Sequence, residues 1–154
     1  MKSLKTLGLV MVMALALGLG AGCSKKTEMQ TSTSTEDPAA ALNAAVQTIT
    51  DGIVYFDYDK YDVKSEYTGM LQQKAELMKA YPDIRVRIEG NCDERGTQEY
   101  NLALGERRAR AVYDYMVMLG VNPDQLEMIS YGKERPAVSG DSEEAWALNR
   151  RTTS

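Results

Sequence analysis

Histidine is absent from all 154 residues. With it go the commonest zinc ligand and the usual general base of an active site. Cysteine occurs only twice, at Cys23 and Cys92. Cys23 sits at the end of a leader-like segment, so a disulfide within the folded part is excluded. No apolar run is long enough to cross a bilayer. The longest, Leu7 to Leu19, holds thirteen apolar or glycine residues, whereas a core of roughly 30 Å needs about 20. Positive charge is short as well. The net charge is −4, and without Lys2 and Lys5 it becomes −6. A domain of that sign is a poor nucleic-acid binder, so no nucleic-acid partner is expected. Carboxylates are plentiful, among them Asp93, Glu94 and Glu99. None is paired with another in apolar surroundings that would raise a pKa, and no nucleophile elbow appears. The pattern asks for no enzyme chemistry, no metal and no cofactor.

The first residues are basic, then apolar, then small, which is the order of a secretory signal peptide. The run Gly20-Ala21-Gly22-Cys23 resembles the bacterial lipobox, with Gly20 where Leu is usual and Leu19 one step before it. That resemblance implies removal of residues 1–22 and acylation of Cys23. Two or three acyl chains hold a protein firmly to lipid. Ser24, a residue other than Asp, goes in such lipoproteins with sorting to the outer membrane. Residues 23–51 are expected to be the acylated N-terminus and a tether. The stretch SKKTEMQTSTSTEDP is polar and without periodicity. It gives a reach of about 20 Å. The Ala-rich run 39–50 reads either as a short helix or as more tether.

The folded domain is expected over residues 52–154. GIVYFDYD reads as a strand, residues 64–81 as a helix ended by Pro82, and Ile84–Glu89 as a strand with one buried face. Gly90 to Gly96 is a loop, and a long helix runs from about Gln98 to Leu119 with Gly120 as its stop. LEMISY is a third strand, and Asp141 or Ser142 caps a short helix. The order β-α-β-α-β-α argues for an α/β fold with helices packed on one sheet. The acidic residues Asp141, Glu143 and Glu144 suit a helix start. Of the nine tyrosines, Tyr55, Tyr58, Tyr61, Tyr67 and Tyr81 read as core and rim packing, with sugar stacking as the alternative.

One side chain breaks this pattern. On a wheel at 100° per residue, Asn101, Leu104, Gly105, Val112, Tyr115, Met116 and Leu119 share one stripe of the long helix. Arg108 falls in its middle, while Arg110 points the opposite way. A guanidinium facing a core must be paired or must reach an opening, because an isolated buried charge is very costly. Two readings follow. Arg108 forms a buried pair with Asp93, or the loop–helix junction is a polar pocket. In the pocket Arg108 takes a carboxylate with its planar fork and Asp93 takes an ammonium. The helix N-terminus adds partial positive charge. An amino-acid zwitterion fits such a site.

GNCDERGTQEYNLALGERRA, with FDYDKYD before it and YGKERP and NRR after it, resembles the OmpA-like domain family. The resemblance, over about residues 52–151, is strongest to its peptidoglycan-associated lipoproteins. It implies an α+β sandwich of the type βαβαβ(αβ), with helices on a mixed sheet. It implies non-covalent binding of the diaminopimelate stem peptide of peptidoglycan. The residues it implies are Asp93 for the ammonium and Arg108 for the carboxylate, with Asn101 and Leu104 between them. Asp59 and Arg95 are expected near the same mouth. The implied partners are peptidoglycan, outer-membrane lipid through Cys23, and a TolB-like periplasmic propeller protein of a Tol system. The expected location is the periplasmic face of the outer membrane. Two departures stand out. Asn91-Cys92 replaces the family's usual pair before the aspartate, leaving Cys92 as a small buried filler or a reactive thiol. After Asn149-Arg150-Arg151 only Thr152, Thr153 and Ser154 remain, so the last strand is expected to be short or missing.

Overall fold

The computed structural model describes residues 37–154. Cys23, the expected leader and the polar segment up to residue 36 lie outside the described residues. The first described element is α1, Pro38–Asp51. Pro38 opens it, and the Asp37 carboxylate accepts from the Ala39 N–H at 3.0 Å. Of the two readings of the Ala-rich run, the helix is the one formed. Ala45 and Ile49, four residues apart, lie on one face and are both buried. The packed unit therefore starts at Pro38, ahead of Gly52 where the sequence reading began it.

Strand β1 is only Val54–Tyr55. The Phe56 N–H still bonds to the Arg150 carbonyl, at 2.9 Å, but the expected strand goes no further, and Asp59 takes a positive φ of 56°. A 3₁₀ turn, Ser65–Tyr67, leads into α2, Thr68–Ala80, which stops before Pro82. Strand β2, Val86–Asn91, alternates as expected: Val86 and Ile88 are buried and Arg87 is exposed. Helix α3, Gln98–Met118, begins with the Thr97 hydroxyl accepting from the Tyr100 N–H at 3.2 Å. It ends in a Schellman motif. Gly120, at φ 92°, bonds back to Val117 and Val121 bonds back to Met116. Strand β3, Leu126–Gly132, and helix α4, Glu143–Asn149, follow, with Ser142 capping α4.

The last strand, expected to be short or missing, is present. It is β4, Arg151–Thr153. The sheet order is β1-β4-β2-β3, so these three residues stand between two other strands. Thr152 pairs antiparallel with both Val54 and Gly90, while β2 and β3 run parallel. The family expectation of a mixed sheet with helices packed on it holds. The core gathers Ile49, Leu71, Met78, Ile88, Val112 and Met116 from α1, α2, α3 and β2.

One close approach sets the depth of α3 on the sheet. A Cβ at Gly90 would lie 1.9 Å from the Gly105 carbonyl oxygen, and a Cβ at Gly105 would lie 2.3 Å from the Ser130 hydroxyl. Only glycine at both positions lets the first half of α3 settle against β2. That settling brings Arg108 beneath the loop that follows β2.

Candidate functional site: a cavity between Asp93 and Arg108

The loop between β2 and α3 is held rigidly by its neighbours. Asn101, from the first turn of α3, donates to the carbonyls of Arg95 at 2.7 Å and Thr97 at 3.0 Å. Lys133 donates to the carbonyls of Glu94 and Gly96. These bonds place the loop over a cavity of about 120 Å³. Asp59, Asp93, Arg95, Asn101, Leu104 and Arg108 all line it. All six expected ligand residues therefore meet at one opening, from three separate stretches of chain. Asn101 and Leu104 are buried, and Asp59 is exposed at the rim.

Arg108 is 1% exposed. Its Nε donates to the Lys60 carbonyl at 2.8 Å and its Nη2 to the Asp57 carbonyl at 3.2 Å. Its Nη1 donates to the Asn91 carbonyl at 3.0 Å and to the Cys92 Sγ at 3.3 Å. A guanidinium has five N–H groups, so one on Nη2 has no partner among the described residues. No carboxylate lies within ion-pair distance of Arg108 among those residues. Burial lowers its pKa, opposed by the nearby Cys92 and Asp93. The buried Asp93–Arg108 pair, one of the two sequence readings, is therefore not formed. Arg108 is fixed by dipoles of backbone carbonyls, and its charge is not cancelled by a neighbour.

Asp93, 4% exposed, is bonded elsewhere. Its Oδ2 meets Arg95 Nη2 at 2.6 Å and Arg150 Nη1 at 3.4 Å. Its Oδ1 accepts from the Arg95 backbone N–H and from Nε. Burial disfavours its ionised form, but the bonds from Arg95, helped by Arg150, outweigh this and lower its pKa below the ordinary value. Arg150 itself is 5% exposed and bridges Asp93, Glu143 and the Phe56 carbonyl. No sequence pattern points to Arg150, since Asp93 and Phe56 lie 57 and 94 residues away from it. Trp146 was also missed. The Arg95 guanidinium sits between the rings of Tyr58 and Trp146, 4.2 Å and 4.1 Å from their centroids.

Cys92 is buried, and burial pushes its thiol up to about 11. It stays protonated near neutrality and donates to the Asn101 carbonyl at 3.3 Å. Of the two readings of Cys92, the geometry is that of the buried filler. Tyr100 donates its hydroxyl to Asp59, which stands in the left-handed region. Among the described residues no group of His, Cys, Asp or Glu is arranged to hold a metal ion.

Residues 55–150 match the OmpA family. The chain is similar to the peptidoglycan-associated lipoprotein of Pseudomonas putida, 51% identical over 115 residues, which span 75% of this chain and 68% of that protein. It is similar to the crystal structure of the peptidoglycan-associated lipoprotein from Burkholderia pseudomallei, at 50% identity and a TM-score of 0.65, covering 66% of this chain and 86% of that one. The C-terminal domain of Helicobacter pylori MotB matches at a TM-score of 0.61 and 23% identity, over 66% of this chain and 80% of that one, which speaks for the fold alone. With the family match running from β1 to Arg150, and half of the aligned residues identical in such relatives, the chain belongs to the OmpA family.

Proposed function

We propose that this chain binds peptidoglycan without making or breaking a bond, and that it grips the diaminopimelate centre of the stem peptide. One observation carries the reading. Arg108 is a buried cation without a carboxylate partner among the described residues, and it lines a cavity that Asp93 also lines. A buried charge of this kind is costly unless something compensates it. The carboxylate of an amino-acid centre does so at Arg108, and its ammonium meets Asp93. The N-terminus of α3 lies beside the same opening and favours the anion. The relatives are named for association with peptidoglycan, and their name is that of a lipoprotein rather than an enzyme.

The wider role follows from joining this site to the leader. Acylated Cys23 anchors the chain in the outer membrane, and the segment after it spans the gap to the wall. A weak single site suffices, because wall and membrane each offer many contacts. A TolB-like periplasmic protein is the proposed protein partner. The alternative is an envelope interaction hub with little wall binding of its own.

Sedimentation with purified sacculi tests the reading. The folded wild type is expected to co-sediment, free diaminopimelate to compete, and Arg108→Ala to stay in solution. Failure of the folded wild type to sediment sinks the wall-binding role and leaves the hub.

A further inference from the structure

The cavity is small against any whole stem peptide, so most of a bound ligand must leave across its rim. Two tyrosines line the cavity, in different surroundings. Tyr58 has its face closed by Arg95, which also lies about 4 Å from the Trp146 ring. Tyr100, with Tyr61 outside the lining, flanks Arg107, and these two tyrosines are 46% and 45% exposed. There the guanidinium lies 6.0 Å and 5.7 Å from the ring centroids. These distances stand near the outer limit of a cation–π contact, about 6 Å. The ring faces are not closed by it. Arg107 makes no ion pair or side-chain hydrogen bond among the described residues. The hydroxyl of Tyr100 is bonded to Asp59, which fixes its ring at the cavity edge.

We infer that Tyr61, Tyr100 and Arg107 form a subsite for a pyranose ring of the glycan strand, adjoining the amino-acid cavity. A pyranose offers C–H faces that stack on exposed aromatic rings, and hydroxyl and acetamido oxygens that accept from a guanidinium. Both demands are met here, and no carboxylate competes for Arg107. Tyr100 joins the two, since it lines the cavity and also flanks Arg107. In the stem peptide two residues separate the diamino acid from the sugar, and two extended residues cover about 7 Å before the linking group. A sugar carried that far from a zwitterion seated in the cavity is placed to meet the ring of Tyr100 and its neighbours.

The inference rests on the cavity reading above, and its test separates the two. Affinities are measured by calorimetry for a disaccharide-tripeptide ending in diaminopimelate and for the same tripeptide without sugar. The wild type is expected to bind the sugar-bearing ligand about tenfold more tightly. Tyr61→Ala and Arg107→Ala, both at exposed positions outside the cavity lining, are expected to abolish that advantage and leave tripeptide affinity unchanged. Equal affinity of the two ligands for the wild type overturns this inference alone, as does an advantage that survives both substitutions. Failure of the tripeptide to bind overturns the cavity reading and this inference with it.

Discussion

Arg108 and Asp93 face the same cavity and do not bond to each other. Arg108 is held by the carbonyls of Asp57, Lys60 and Asn91, and Asp93 by Arg95 and Arg150. The two charges are kept apart by separate sets of bonds. That arrangement leaves Arg108 without a carboxylate partner among the described residues, which a direct pair would supply.

The planar fork of Arg108 is the first thing to vary. Arg108→Lys keeps the charge but cannot reach three carbonyls and a ligand at once. Binding to sacculi or to free diaminopimelate is expected to fall at least about tenfold, equivalent to about 1.4 kcal/mol. Equal affinity in the two proteins, measured by calorimetry, argues against a carboxylate at Arg108.

Asp93 has a second duty, in stability. Its pKa is lowered from 3.8 in the folded chain. The folded state therefore holds fewer protons than the unfolded one in the acid range, and stability falls as pH drops through that range. The contribution is fully present above the ordinary value and is lost below it. Acid unfolding followed by circular dichroism is expected to be steeper for the wild type than for Asp93→Asn below about pH 4. Asp93→Asn also strips Arg150 of a buried partner, so it is expected to lower the melting temperature at pH 7. Loss of wall binding in this variant is informative only beside a folding control.

Lys74 shifts in the same direction, in the alkaline range and through burial alone. It is 3% exposed, donates to the Gly52 carbonyl and the Ser154 hydroxyl, and burial brings its pKa down to about 8. Between that value and the ordinary 10.5 the unfolded chain binds the extra proton, so stability rises with pH. Relative to Lys74→Met, the wild type is expected to gain on the order of 1 kcal/mol per pH unit above pH 8. Denaturant unfolding at pH 7, 8, 9 and 9.5 measures this. A flat difference between the two proteins contradicts the burial of a charge there.

Gly90→Ala tests the seating of α3. The new Cβ would meet the Gly105 backbone at 1.9 Å, and backbone cannot swing aside. A loss of at least about 2 kcal/mol is expected, and the shift of α3 should weaken ligand binding as well. An unchanged melting temperature would falsify the close approach.

Much of this is legible in the sequence itself. The stripe on α3 marked Arg108 because its neighbours at helical spacing are apolar, and the alternation of β2 marked its buried face. Three things were not legible, each for a physical reason. Strand β4 carries only three residues, too few for a pattern, and is specified by the two strands it joins. Helix α1 is Ala-rich, and its packing is settled by the distant contacts of Ile49. Arg150 acts across the fold, on Asp93 and on the Phe56 carbonyl, and no local spacing announces such bonds. The free N–H on Arg108 is likewise visible only once its partners are counted.

The most direct test of the central claim is calorimetric titration of the folded wild-type protein with meso-diaminopimelate, with Arg108→Lys run alongside. One site per chain is expected for the wild type, with binding at least tenfold weaker in the variant (roughly 1.4 kcal/mol) and its fold intact. A folded wild type that takes up no diaminopimelate, or a folded variant that binds it equally well, contradicts the account.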